Sequence, residues 1–426
     1  MKKYAVWGVA LFLLVAGAAF SQGTILITNG TVVTVSGATL QDGCVLIRDG
    51  KILDVGKNIK APAGARIVDA GGGFVYPGMI APFTVLGLTG YPGAGNDTDE
   101  TGTSTPHMDP FDAFNPEDEC IEVARMDGIT TALTVSGSRN VLSGGALVMS
   151  LEGDLADDMV IKKNVAMVFN LAAKVRGKYP STLPGVNALI RDKLNQARRY
   201  ADRMKKSLEK EQDDAEPFAR SLEMEALLPI LDKKIPAIFV TMNEVTIRNA
   251  LQIIHEYDLK GILFASSGIL KYADRLAEEK IPVIWAGTMT IPQRWEAYDL
   301  NYHTAAILQD KGVLFSLNES AGGPGSRNVR RQPVPASMSI AHGLSEDDAV
   351  KALTINPARI LGISDRVGSL EKGKTANVFV CSKKLFQLSS KVTTVIINGK
   401  VIPMTSVQTR LRDKFAPLVR ERSAQK

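Results

Sequence analysis

Few side chains in this 426-residue chain are of types that do chemistry, and they are scattered along it. The loop Asn96-Asp97-Thr98-Asp99-Glu100 gathers carboxylates, hard oxygen donors that suit a cation or a proton-transfer step, although a solvated polar loop has the same composition. Further along, residues 322–331 combine glycines with Arg327, Arg330 and Arg331. Guanidinium forks of this kind clamp carboxylate or phosphate, so the three arginines are candidates for binding an anionic ligand. Glu319 stands just before that loop and His303 near a helix start. With Asp97 and Asp99 they complete the set of candidate acid–base groups. Of the four histidines, His255 and His342 fall within amphipathic helical patterns and His303 reads as a capping group; His107, in a loop, is the one candidate metal ligand. Cys44, Cys120 and Cys381 are too few and too far apart for a thiolate zinc site or a disulfide framework. They read as small buried hydrophobes. Their odd number leaves at least one thiol free, and whether the other two pair stays open.

The elements that must position these groups follow from pattern and composition. An apolar share of 45% with 22% charged residues suits a large globular protein, and the bases that give a net charge of +5 are interspersed with acids, which excludes a nucleic-acid binder on charge grounds. Lys2 and Lys3, an apolar run over 5–15 and small residues before Ser21 predict a signal peptide over 1–21, cleaved after Ser21. A periplasmic or secreted protein without a stable membrane span would result; the alternative is an uncleaved anchor, for which the apolar run is short. Residues 24–67 alternate apolar and polar side chains in short runs broken by Asn29-Gly30, Asp49-Gly50 and Gly56. That texture returns over 376–402 with the turn Asn398-Gly399, so the two ends are expected to form one small β domain from 22–77 and 367–402.

Between them, apolar runs at 130–135, 165–170, 237–241, 261–264, 282–285 and 312–316 alternate with amphipathic helical segments, predicting a parallel β/α barrel over 78–366. Residues 186–231 read as charged helices projecting from it, and 403–426 as a basic tail with a surface helix.

Two runs carry a family resemblance that spans nearly everything after the leader. Gly72-Gly73-Phe74-Val75-Tyr76-Pro77-Gly78-Met79-Ile80 resembles the approach to the first barrel strand of the metal-dependent amidohydrolases, in the branch similar to imidazolonepropionase and the prolidases. The run Ala352-Leu353-Thr354-Ile355-Asn356-Pro357-Ala358-Arg359-Ile360-Leu361-Gly362, followed by Gly368-Ser369-Leu370-Glu371-Lys372-Gly373, resembles that family's return to its small sheet. The resemblance implies an α/β fold, a (β/α)8 TIM-like barrel with a small β-sandwich domain from the N- and C-terminal segments. It also implies one or two divalent metals such as zinc. A bound metal lowers the pKa of water from about 15.7 to about 7, worth about 12 kcal/mol in available hydroxide.

The side chains that would hold such metals are replaced at every position that can be matched. Phe83 and Val85 stand where the first strand's two histidines belong, Ala173 where the fourth strand carries a carboxylate, Val240 where the fifth carries a histidine, with Met242 no better. Ala265 takes the sixth strand's histidine position. Asn318 takes that of the last strand's Asp, and an amide neither carries charge nor accepts a proton near neutrality. Lys174, beside Ala173, is the one candidate for a displaced bridging group. The expectation is a cell-envelope amidohydrolase-superfamily protein without resident metal, a pseudoenzyme or binding protein with a small-molecule ligand at the barrel mouth; oligomerisation stays open. The alternative is a hydrolase of non-peptide carbon–nitrogen bonds working through an atypical site.

Overall fold

The computed structural model describes residues 23–90, 95–98, 100, 102–174, 177–209, 218–290, 302–319 and 328–424. The leader over 1–21, Asp99 and Arg327 lie outside the described residues. The N-terminal alternation folds as β1 (Ile25–Val32), β2 (Leu40–Arg48) and β3 (Lys51–Lys57), an antiparallel meander in which Asp49 and Gly50, both at positive φ, make the β2–β3 turn. β4 (Arg66–Asp69) and β5 (Phe74–Pro77) then pair parallel to β1.

A second, eight-stranded sheet follows in chain order: β6 (Met79–Thr84), β7 (Ile129–Val135), β8 (Leu142–Ser150), β9 (Val160–Asn170), β10 (Ala237–Thr241), β11 (Gly261–Ala265), β12 (Val283–Trp285) and β13 (Phe315–Leu317). All neighbours run parallel except β8, which is antiparallel to both β7 and β9. A uniformly parallel barrel is therefore corrected at one place. Residues 136–141 are too few for a crossover helix, so β7 turns straight back as a hairpin.

Helices cover this sheet. α1 (Glu119–Met126) joins β6 to β7, and the single turn α2 (Ala156–Met159) precedes β9. α3 (Leu183–Glu209) and α4 (Leu222–Leu231) fill the β9–β10 connection, and α5 (Glu244–Tyr257), α6 (Ala273–Glu278) and α7 (Thr304–Asp310) follow β10, β11 and β12. After β13 come α8 (Pro333–Ala341), α9 (Glu346–Leu353) and α10 (Ile355–Ile360). The break between α9 and α10 falls at Thr354, and the Asn356-Pro357 pair lies in the first turn of the new helix, where Asn356 Nδ2 donates to the Phe315 carbonyl at 3.0 Å and ties α10 to β13. Asp118 caps α1 through Cys120 N–H at 2.9 Å while its other oxygen takes Gly87 N–H at 2.8 Å, fixing the loop after β6 to the same helix.

The α3–α4 segment does not project. Val186, Ile190, Leu194 and Ala197 of α3 and Leu227 and Ile230 of α4 fall at helical spacing and are buried in the same apolar layer as the barrel helices. Its two helices are locked by Glu225, which accepts from Tyr200 Oη at 2.7 Å and from Arg220 Nε at 2.9 Å. Those bonds, Arg220's first, hold the Glu225 carboxyl down at about 2.

The chain closes through β14 (Val378–Cys381), β15 (Val392–Ile397) and β16 (Lys400–Val401), after which α11 (Val407–Ala424) ends it. β14 pairs antiparallel with β5, so strands from both ends share one sheet in the order β16-β15-β14-β5-β1-β2-β3. All three cysteines are buried and free. No described helix is long and apolar enough to cross a membrane.

Two predictions follow from these joints. A Cβ at Gly73 would sit 2.2 Å from the Cys381 carbonyl oxygen, whereas one at Gly37 meets nothing closer than 3.5 Å. Gly73→Ala should lower stability by about 1–3 kcal/mol in urea unfolding, and Gly37→Ala should leave it near wild type. For Glu225, a lowered carboxylate pKa means that its stabilisation is present above the ordinary 4.5 and is lost as pH falls through about 2. The melting-temperature gap between wild type and Glu225→Gln should accordingly be full at neutral pH and close between pH 4.5 and 2.

Candidate functional site

Two apolar layers divide the barrel strands residue by residue. Ala237 and Phe239 of β10 and Leu263 and Ala265 of β11 pack with the helices, while Ile238, Val240, Ile262 and Phe264 belong to a separate cluster with Ile80, Phe83, Val85, Leu133, Val148, Val168 and Ile284. That second cluster is the barrel interior. Ile355, Ala358, Ile360 and Leu361 join it, so α10 and the residue after it close the end where the strands begin.

Register fixes which residues share the interior face, because side chains paired laterally across parallel strands point the same way. The row Asn170–Val240–Phe264–Ile284–Ser316 is continuous across β9 to β13. Phe83, Val85 and Val240 all lie in the interior cluster. Two assignments are corrected. Ala265 pairs with Thr241 and Trp285 and lies in the outer layer, so Phe264 is the inward residue beside Val240. Ala173 also packs in the outer layer, so Asn170 is the inward residue at the end of β9. Ala265 is one residue out of phase along a strand buried on both faces, and Ala173 lies past the end of β9.

Phe83 and Phe264 meet across the interior with ring centroids 4.4 Å apart, 1% and 0% exposed. Met242 is 38% exposed and takes no part in this filling. Asn170 spends its amide on structure: Nδ2 donates to the Ser138 carbonyl and Oδ1 accepts from Ala172 N–H at 2.7 Å, fastening the β7–β8 turn to the end of β9. Asn318 is buried at the end of β13, its N–H bonded to the Trp285 carbonyl at 2.8 Å, and Ser316 below it has a buried hydroxyl without a hydrogen-bond partner among the described residues. The side chains at these positions do not fit a divalent metal, since they offer amides, a hydroxyl and hydrocarbon in place of imidazole and carboxylate. Among the described residues, no three of His, Cys, Asp and Glu gather as a metal-holding group.

The remaining candidates are dispersed. Glu319, 7% exposed, is ion-paired to Arg331 and its N–H donates to Gln332 Oε1 at 3.1 Å, an arrangement that stitches the end of β13 to the turn at Val329–Arg331. Arg330 donates to Gln408 Oε1 of α11 at 2.6 Å, and both it and Arg331 line a groove outside the barrel. Asp97 is exposed. Glu100 takes the N–H groups of Ser138 at 2.9 Å and Arg139 at 3.2 Å. His303 begins α7 without a capping bond from its side chain and lies edge-on to the His342 ring at 4.9 Å; His255 pairs with Glu279 at 3.0 Å; His107 and Lys174 are exposed. The sequence reading passed over Asp127, a half-buried carboxylate at the end of α1 facing a groove outside the barrel, because an aspartate after a helix carries no signal by itself.

Comparison with known proteins agrees with this architecture. The Amidohydrolase family profile matches residues 312–402. An amidohydrolase from Thermotoga maritima MSB8 superposes with a TM-score of 0.82 at 31% identity, over 89% of this chain and 99% of that one. A prolidase complexed with N-methylphosphonate-L-proline (TM-score 0.55, 13% identity, 89% and 99% covered) and molinate hydrolase (0.54, 15%, 90% and 96%) share the fold alone. Among curated sequences, the urease subunit alpha of Edwardsiella ictaluri (strain 93-146) is 30% identical over 115 residues, a match that spans 24% of this chain and only a fifth (20%) of the urease subunit. With an eight-stranded barrel sheet, a composite terminal sheet and a 31% identical amidohydrolase aligned over nearly its full length, this chain belongs to the amidohydrolase superfamily.

Proposed function

We propose that this protein is an amidohydrolase-superfamily member that performs no metal-dependent hydrolysis and has kept the barrel as a scaffold for binding. The observation that carries the reading is the Phe83–Phe264 contact: two rings lie where a water-activating site would need imidazole and carboxylate. The interior neighbours Val85, Val240 and Ile284 supply no proton acceptor, and Asn170 and Asn318 supply only neutral amides. The eight-stranded sheet reads as a (β/α)8 TIM-like barrel whose third place is taken by the antiparallel β8, and the terminal sheet as the small β-sandwich module. The leader-like residues 1–21 support export to the cell envelope.

Elemental analysis tests the reading. Protein expressed from Gln22 onward without added metal should carry zinc, iron, manganese and nickel at far below one equivalent. Stoichiometric metal whose removal by chelator abolishes hydrolysis of an amide would overturn it. The aromatic filling has a test of its own. Phe83→Ala should cost about 3–5 kcal/mol, the range for deleting a buried ring, in denaturant unfolding; a near-neutral substitution would mean that the interior is open instead of packed.

A further inference from the structure

A groove of about 610 Å³ lies outside the barrel interior, where the end of α1, the turn at Val329–Arg331, the β14–β15 side of the terminal sheet and the start of α11 meet. Its volume is within the range of about 300–1,000 Å³ typical of small-molecule sites. Met126, Val334, Leu385 and Met404 make its walls apolar, and Asp127 and Arg330 place opposite charges on them; Lys391 and Arg331 also line it, the latter ion-paired to Glu319.

Asp127 is the informative residue. It follows the last turn of α1, where the free carbonyls of the helix already set a negative potential, so its carboxylate adds charge where the local field favours a cation. Burial pushes its carboxyl above the ordinary carboxylate range, and the positive charge of Arg330 draws it only partly back. Yet the carboxylate has no hydrogen bond or ion pair among the described residues, unlike Asp118, both of whose oxygens accept backbone N–H groups, and Glu319, which is ion-paired to Arg331. Arg330 is bonded only to the neutral Gln408, and no carboxylate pairs with it among the described residues. A half-buried acid and a guanidinium left apart across an apolar groove form a site that a ligand of matching charges would complete.

We propose that this groove binds a small zwitterion with an apolar body, such as a free apolar amino acid, with its ammonium on Asp127, its carboxylate toward Arg330 and its side chain along Met126, Val334, Leu385 and Met404. The site is independent of the barrel interior, so the proposal stands or falls separately from the metal-free reading above.

The test uses the mature chain with L-phenylalanine as probe, in calorimetry and thermal melting. Saturable binding is expected, weakened about tenfold or more for N-acetyl-L-phenylalanine, which lacks the ammonium, and for L-phenylalaninamide, which lacks the carboxylate. Asp127→Asn should lose the binding while melting at or above the wild-type temperature, because it removes a buried charge without a partner. Arg330→Gln should weaken L-phenylalanine but leave L-phenylalaninamide unchanged. Absence of saturable binding to the wild type, or undiminished binding by Asp127→Asn or of the N-acetyl compound, would overturn the proposal.

Discussion

The interior of an eight-stranded barrel holds one layered set of side chains, and lateral register decides which residues belong to it. Here the row from Asn170 through Val240, Phe264 and Ile284 to Ser316, with Phe83 and Val85 from β6, fills that space. Everything else about the site follows from this filling. A metal centre needs converging donors and room for water; a ring pair at 4.4 Å supplies neither. A carboxylate among these apolar side chains would be buried without a counter-charge, at a cost of several kcal/mol, and the buried residues at the strand ends, Asn170 and Asn318, are neutral.

Much of this architecture is legible in the sequence because its signals are local and steric. The run from Gly72 to Ile80 leads from the terminal sheet into the first strand of the barrel sheet, with Gly73 so close to the Cys381 carbonyl that a side chain has no room; Asn356-Pro357 sits in the first turn of α10, just after the break at Thr354. What escaped the sequence needed long-range information. β8 carries Gly144 and Gly145 within an apolar run, a pattern that fits a turn as well as a strand, and only pairing on both sides reveals an antiparallel member of a parallel sheet. The inward phase of β11 is hidden because a strand buried on both faces shows no alternation, and the end of β9 at Asn170, three residues before Ala173, is set only by its pairing with β10. The charge of the segment over 186–231 points to projection, but the stripe Val186–Ile190–Leu194–Ala197 is what sets its place against the barrel.

The buried and half-buried acids divide by what engages them. Asp118 takes two backbone N–H groups and holds α1 to the loop after β6; Glu319 pairs with Arg331 and holds β13 to the turn that follows. Each of these groups makes a bond or ion pair that fastens two elements together, which gives it a structural role. Asp127 fastens nothing. Its carboxylate opens to a groove, and the nearest cation influencing it, Arg330, is engaged by a neutral glutamine on α11.

An apolar or amide side chain would satisfy the fold at that place with less penalty, and the barrel interior is built of just such uncharged residues. Asp127 keeps a charge without a structural partner among the described residues; the fold alone gives no reason for it, and a ligand that neutralises it does.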